Sequence, residues 1–279
     1  MDTTGIKITA DSTCDLPEEF RRQHSITLIP LHILRGGEDL TDGVDVTPAD
    51  IFARAGGAPY STAAVNVAEY AAFFAPLSAR YGAVVHVSLG SGFSSSYANA
   101  CLAAAEFSNV FVVDSRNLSC GQGLLAAEGC RLAAEGRTGA AVAAGLWELV
   151  PRVESTFLLS DLDFLVRGGR CSAAAALGAN LLRLKICIGV TGGAMQVVKK
   201  YRGSYEKCLS AYLRDRLEGR ETRGPVFVAG TGLTEEDEAV RRETVEALGP
   251  FSELYFPQAG CTVSCHCGPR TVGVVLLRA

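Results

Sequence analysis

The chain has 279 residues, 48% of them hydrophobic and 20% charged, with a formal net charge of −4. This is a globular composition, which excludes a disordered tail protein. The diffuse acidic balance, with no Lys/Arg block, excludes an electrostatic nucleic-acid surface.

In chain order, Ile6 to Ala10 reads as a strand, Pro17 to His24 as a short helix with Pro in its first turn, and Ile26 to Leu34 as a second strand. Ser61-Thr62 sits before a helical pattern, where an isolated hydroxyl pair is usually an N-cap. Asn66 caps a helix through Tyr81, with Val67, Tyr70, Phe73, Phe74 and Leu77 on one side. Val84 to Leu89 is a buried-type strand, followed by a Gly/Ser loop and a helix of small residues ending near Phe107. Val110 to Asp114 is another such strand. Two Ala-rich helices follow, over Gly121 to Glu135 and Thr138 to Val150.

After Pro151 the pattern changes. Thr156 to Leu159 reads as a strand, Gly168-Gly169-Arg170 as a turn and Ser172 to Leu182 as a helix. Leu184 to Val190 and Met195 to Tyr201 form a hairpin around Gly192-Gly193. A helix over Tyr205 to Leu217, a strand over Val226 to Ala229, a helix over Glu235 to Leu248, and strands over Leu254 to Phe256 and Thr271 to Leu277 complete the chain. The expected class is α/β with two domains. Residues 1–152 form a mostly parallel sheet with helices on both faces, and 153–279 form an α+β domain. Asp11-Ser12, Ser91/Ser94 and Asp114-Ser115 each follow a strand, so in a parallel sheet they converge on the edge where such folds place ligands.

The segment Met1 to Lys7 carries neither a basic region nor an apolar run, and the most apolar stretch, Val272 to Leu277, is too short to span a bilayer. A cytoplasmic protein without integral membrane association is expected, with a monomer as the default. Its ten cysteines should then be free thiols, most of them filling small apolar positions. The Cys261, Cys265, His266, Cys267 cluster lacks a Cys-x-x-Cys and a second ligand pair. On that spacing no metal is expected.

Enzymatic signatures fail on spacing. There is no phosphate-binding Gly-x-x-x-x-Gly-Lys-Ser/Thr; Gly90-Ser91-Gly92 lacks the Gly two residues before the Ser; Gly230-Thr231-Gly232 lacks a third Gly. What remains is a set of hydroxyls, Arg170 on a tight turn, and His266, read as following a strand and preceding Gly268-Pro269. Ser94, Ser95 and Ser96 sit at a strand-to-helix turn suited to an anion.

The ordered set of these pieces resembles the DegV family over nearly the whole chain. It runs through Ile8 to Pro17, Ile29 to Leu31, Asp42 to Asp45, Ser61-Thr62, Ser94 to Ala100, Val113 to Ser115, Asp163 to Arg170 and Cys265 to Pro269. The pair Leu/Phe-x-x-Gly-Gly-Arg and His-x-Gly-Pro, in that order, is the specific part. The resemblance implies a non-enzymatic carrier with a long-chain fatty acid buried between or within the two domains and no other cofactor. It also implies presentation of the acid to a separate ATP-using partner, bacterial fatty acid kinase, which makes the acyl phosphate. Transient contact with a membrane surface would serve ligand exchange. The family holds the carboxylate with a Thr, a Ser, an Arg and a His, which fall on Thr62, Ser94, Arg170 and His266. Asp11, Ser12, Ser61, Ser95, Ser96, Asp114, Ser115, Gly168 and Gly169 would support them. The chain departs from the usual pattern at Thr62 to Asn66, Ser94 to Tyr97, Cys187 and Cys267.

Chemically, such a set suits the ligand. A carboxylate taken out of water needs donors and charge, supplied by the two hydroxyls, Arg170 and, if protonated, His266. The alternative is an acyl hydrolase or transferase with Ser94 as nucleophile and His266 as base, although no acidic motif orients the imidazole. A small-molecule kinase with magnesium at Asp11 and Asp114 is a third reading; those carboxylates are expected instead to bond loop amides.

Overall fold

In a computed structural model that describes residues 5–53, 58–172 and 184–278, the apolar runs of the first half pair as a four-stranded sheet. Its strands are β1 (Ile6–Asp11), β2 (Thr27–Ile29), β6 (Ala83–Ser88) and β7 (Val110–Asp114), in the order β2-β1-β6-β7 and wholly parallel. Every residue of β6 is buried, as a strand covered on both faces requires. Val84 packs into a core with Tyr70, Phe74, Ala100 and Ala103 of the helices Val67–Arg80 and Ser96–Ala104. Its neighbours Val85 and Val87 pack the other way, against Leu124, Leu125, Val142 and Leu146 of Cys120–Ala134 and Gly139–Leu149.

The segment Ile26 to Leu34, expected as one strand, is two. Pro30 has no N–H to continue a ladder. The chain breaks there, so that Thr27–Ile29 joins the parallel sheet while β3 (His32–Arg35) forms an antiparallel three-stranded sheet, β4-β3-β5, with β4 (Glu38–Thr41) and β5 (Ser61–Ala63). Ser61 and Thr62 are therefore strand residues and not a cap. The cap is Asn66, whose side chain accepts from Glu69 N (3.0 Å) while Glu69 Oε2 accepts from Asn66 N (2.8 Å).

The second half builds a six-stranded sheet, β10-β9-β8-β13-β11-β12, from β8 (Val153–Leu159), β9 (Leu184–Thr191), β10 (Ala194–Arg202), β11 (Thr222–Thr231), β12 (Leu254–Tyr255) and β13 (Thr271–Arg278). All its pairings are antiparallel except β11 with β12. The helices Tyr205–Leu217 and Glu235–Glu246 pack on one face around Tyr212, Leu213 and Val245. The opposite face, with Phe157, Leu159, Ile186 and Ile188, shares a core with the parallel sheet's helices. Gly168-Gly169-Arg170, read as a turn, closes the helix Asp163–Gly168, with Gly169 left-handed (φ 67°) as its C-cap. The helix expected over Ser172 to Leu182 lies, beyond Ser172, outside the described residues.

The segment carrying His266 is a helix, Cys261–Cys267, and not the continuation of a strand. Cys, Thr and Val are poor helix formers, so local preference does not explain it. Tertiary contacts do: six of its seven residues are buried, and carboxylates from the first half of the chain receive its leading N–H groups. Asp15 Oδ1 accepts from Gly260 N at 2.8 Å, and Asp42 Oδ1 accepts from Cys261 N at 3.1 Å.

Cys14, Cys101, Cys120, Cys130, Cys187, Cys208, Cys261, Cys265 and Cys267 are free thiols, and seven of these nine are buried. Burial pushes the thiols of Cys261, Cys265 and Cys267 up to about 12, so all three stay protonated. Cys261 and Cys265 pack with Ile33, Val46 and Ile51. Among the described residues no helix is long and apolar enough to cross a membrane.

Candidate functional site

A cavity of about 290 Å³ lies where the C-terminal ends of the parallel strands meet β5 and the helix Cys261–Cys267. Leu31, Leu89, Phe93, Leu118, Met195 and Val263 supply most of its apolar wall. Thr62, Ser94, Arg170 and His266, which come from four separate stretches of chain, all line it.

Thr62 is carried on β5, paired across to Ile33, and its Oγ1 lies 2.9 Å from His266 Nε2. The residues are 204 positions apart. His266 Nδ1 is buried without a hydrogen-bond partner among the described residues. Burial, with the Arg170 guanidinium beside it, lowers the imidazole to about 4. His266 is thus neutral near pH 7, so it offers a hydrogen bond; the positive charge expected of it if protonated falls to Arg170 alone.

The two motifs that frame this histidine interlock. Gly168 has no Cβ because His266 occupies the space: a Cβ there would stand 2.3 Å from Nδ1. In return Gly268, at φ 74°, lies so close to Phe164 that a Cβ would be 2.6 Å from its ring. Arg170 follows the left-handed Gly169 and is exposed, with Nη1 donating to Gly168 O at 2.7 Å. Ser94 Oγ lies 2.9 Å from Ser96 Oγ and accepts from Ser96 N at 3.2 Å, at the start of the helix Ser96–Ala104.

Thr62, Arg170 and His266 also face a second space, an outer cleft of about 620 Å³. Arg35 and Arg167 line it as well, one over the ring of Tyr60 and the other over Phe164, both at 4.6 Å. Among the described residues no Asp or Glu lines it. The polar end of the apolar cavity therefore opens toward a cationic mouth.

Of the supporting residues, Ser95 lines the inner cavity and Ser61 and Gly168 the outer cleft. Gly169 sets the turn, and Ser96 is buried. Asp11, Ser12, Asp114 and Ser115 organise loops without lining either space. Asp11 Oδ2 accepts from Leu89 N (2.6 Å) and Ser88 Oγ (3.1 Å), and Oδ1 from the Tyr70 hydroxyl. Asp114 Oδ1 accepts from Ser91 N (3.0 Å) and Arg116 N (2.9 Å). Ser115 Oγ accepts from Asn117 N at 3.1 Å, and Ser12 Oγ donates to Asp42 Oδ2 at 2.7 Å. Both aspartates bond loop amides, as expected of them.

Sequence reasoning missed the carboxylates that hold the histidine's helix. Asp42 accepts from Ser12, from Cys261 N and from Thr262 Oγ1 (2.8 Å). Asp15, left-handed at φ 47°, accepts from Gly260 N and from Ser119 Oγ (2.6 Å). Burial raises its carboxyl to about 7 against these two donors, with Asp42 adding to the rise. Both lie in motifs singled out in the sequence; their partners Gly260, Cys261 and Thr262, more than 200 residues away, do not show there.

A family model for DegV proteins, a family of uncharacterised proteins, matches residues 5–279. The chain belongs to the DegV family. Within it, the chain is 29% identical over 278 residues to a DegV domain-containing protein of Caldanaerobacter subterraneus subsp. tengcongensis, covering 96% of this chain and 97% of the other. It is 30% identical over 276 residues to one of Deinococcus radiodurans, covering 97% and 98%. A fatty-acid-binding DegV family protein from Thermus thermophilus superposes with a TM-score of 0.88 at 28% identity, over 99% of this chain and 100% of that one. A DegV lipid-binding protein from Thermotoga maritima does so with a TM-score of 0.82 at 25% identity, over 98% of each.

Proposed function

We propose that this DegV protein binds a long-chain fatty acid without transforming it, the acyl chain in the apolar cavity and the carboxylate at the end formed by Thr62, Ser94, Arg170 and His266. The observation that carries the reading is the junction itself: an apolar cavity whose one polar end, the Thr62–His266 pair beside Arg170, faces a cleft rich in arginine. Each buried methylene contributes roughly 0.8 kcal/mol, so a long tail contributes about 10 kcal/mol before ordering costs. The fatty acid bound by the Thermus relative supports the same ligand class. The site lies at the junction of two domains, 1–152 and 153–279.

The carboxylate end faces the outer cleft, which fits presentation to a separate ATP-dependent fatty acid kinase, with transient contact at a membrane surface for exchange. Hydrolysis by Ser94 and His266 finds less support. His266 Nε2 is engaged by Thr62, and Ser94 Oγ by Ser96. Nδ1 has no carboxylate to orient it among the described residues.

Mass spectrometry of the purified protein, native and then denatured, tests the proposal. A stoichiometric free fatty acid is expected. A protein that is empty and takes up no added fatty acid overturns it.

A further inference from the structure

A third cleft, of about 670 Å³, lies between the tip of the β9–β10 hairpin and the helix Gly139–Leu149. It shares no lining residue with the cavity or the outer cleft of the fatty acid site. Its volume is within the range of small-molecule sites. Three guanidinium groups line it, those of Arg116, Arg216 and Arg278. Glu154, the single acidic residue lining it among the described residues, is already paired with Arg220. A net positive cleft thus stands on a chain whose formal charge is −4.

Arg278 Nη2 donates to Pro151 O at 2.8 Å, but other donors in this cleft lack acceptors. Five side chains have a buried polar atom without a hydrogen-bond partner among the described residues, and two of them, Ser155 Oγ and Arg216 Nε, belong to it. Ser155 is only 5% exposed, so its hydroxyl has little water to compensate, and an unsatisfied buried donor is costly. Arg116 is held left-handed (φ 47°) while Asp114 accepts its N–H, and no hydrogen bond or ion pair among the described residues uses its guanidinium. Donors with no acceptor fit an anion with several oxygens. Trp147 lines the same cleft at 37% exposure, an open indole face suited to stacking on a flat ring.

We propose that this cleft is a second ligand site for a soluble nucleoside phosphate, with phosphate oxygens on Arg116, Arg216 and Ser155 and the base against Trp147. The site is independent of the fatty acid reading.

Trp147 is the only tryptophan of the chain, so its fluorescence reports the cleft alone. The full-length protein is titrated with ATP, with AMP and with inorganic pyrophosphate. A saturable change is expected for the nucleotides, with ATP binding at least about tenfold more tightly than pyrophosphate, and with about a tenfold or greater loss in Arg116→Asn, a charge-assisted contact being removed. Asn tolerates the left-handed backbone at that position. Arg216→Lys, which keeps a charge but not the planar fork, is expected to lose affinity also, and both variants keep their co-purifying lipid by mass spectrometry. Equal affinity for ATP and pyrophosphate overturns the nucleoside assignment. The absence of a saturable response, confirmed by equilibrium dialysis with labelled ATP, overturns the site.

Discussion

The imidazole of His266 lies against the α-carbon of Gly168, with no room for a methyl group between them: a Cβ there would be 2.3 Å from Nδ1. The Gly-Gly-Arg and His-x-Gly-Pro motifs are thus two halves of one contact. Gly168→Ala is expected to push the ring off Thr62 and to cost about 1–3 kcal/mol, the range for an overpacked buried site. Fatty acid affinity should fall by about tenfold or more in a competition assay with a fluorescent fatty acid. Unchanged affinity would show that the ring position does not matter for the ligand.

Among the described residues, Arg170 is the one cation that lines both the apolar cavity and its mouth. Arg170→Ala should weaken binding of the free acid by about tenfold while leaving the methyl ester nearly unaffected, because only the acid carries the charge it meets. Since Arg170 is exposed, the loss should shrink as salt rises. Equal losses for acid and ester would remove charge pairing from its role.

Two buried groups tilt stability with pH in opposite directions. His266 is lowered to about 4 from 6.5, so between those values the unfolded chain binds more protons and stability falls as pH drops. His266→Gln should flatten that acid-side fall. Asp15 is raised to about 7 from 3.8, so the folded chain binds more protons and stability falls as pH rises through that window. Asp15→Asn should remove that decline. Urea unfolding from pH 4 to pH 8 measures both slopes, and a variant curve parallel to that of the parent would contradict the corresponding assignment.

Asp42 gathers three donors from two distant parts of the chain, Ser12, Cys261 N and Thr262. Asp42→Ala leaves them unpaired in a buried place, at an expected cost of about 2–4 kcal/mol. Amide hydrogen exchange over residues 261–267 should quicken more than across the β8–β13 pair. Uniform quickening would mean that the carboxylate supports the fold as a whole and not this helix.

Much was legible in the residues alone. Apolar runs such as Val84 to Leu89 and Val110 to Asp114 have too few polar positions for an exposed strand, and their alternation with helical patterns requires a parallel sheet covered on both faces. The Asn66 cap, the Gly192-Gly193 hairpin and the helix Tyr205–Leu217 follow from chemistry within a few residues. The four cavity-lining polar residues were named only through the resemblance to the DegV family, not by chemistry local to each. Tertiary structure decided the rest. The break at Pro30 sends its two sides into different sheets, because only the assembled sheets show which edge each side can reach. Cys261–Cys267 is helical because Asp15 and Asp42, from the other half of the chain, accept the N–H groups at its start. The neutrality of His266 follows from burial and a neighbouring guanidinium. Periodicity and capping are local properties, written in consecutive residues; desolvation and long-range hydrogen bonding arise only once the chain has brought distant groups together.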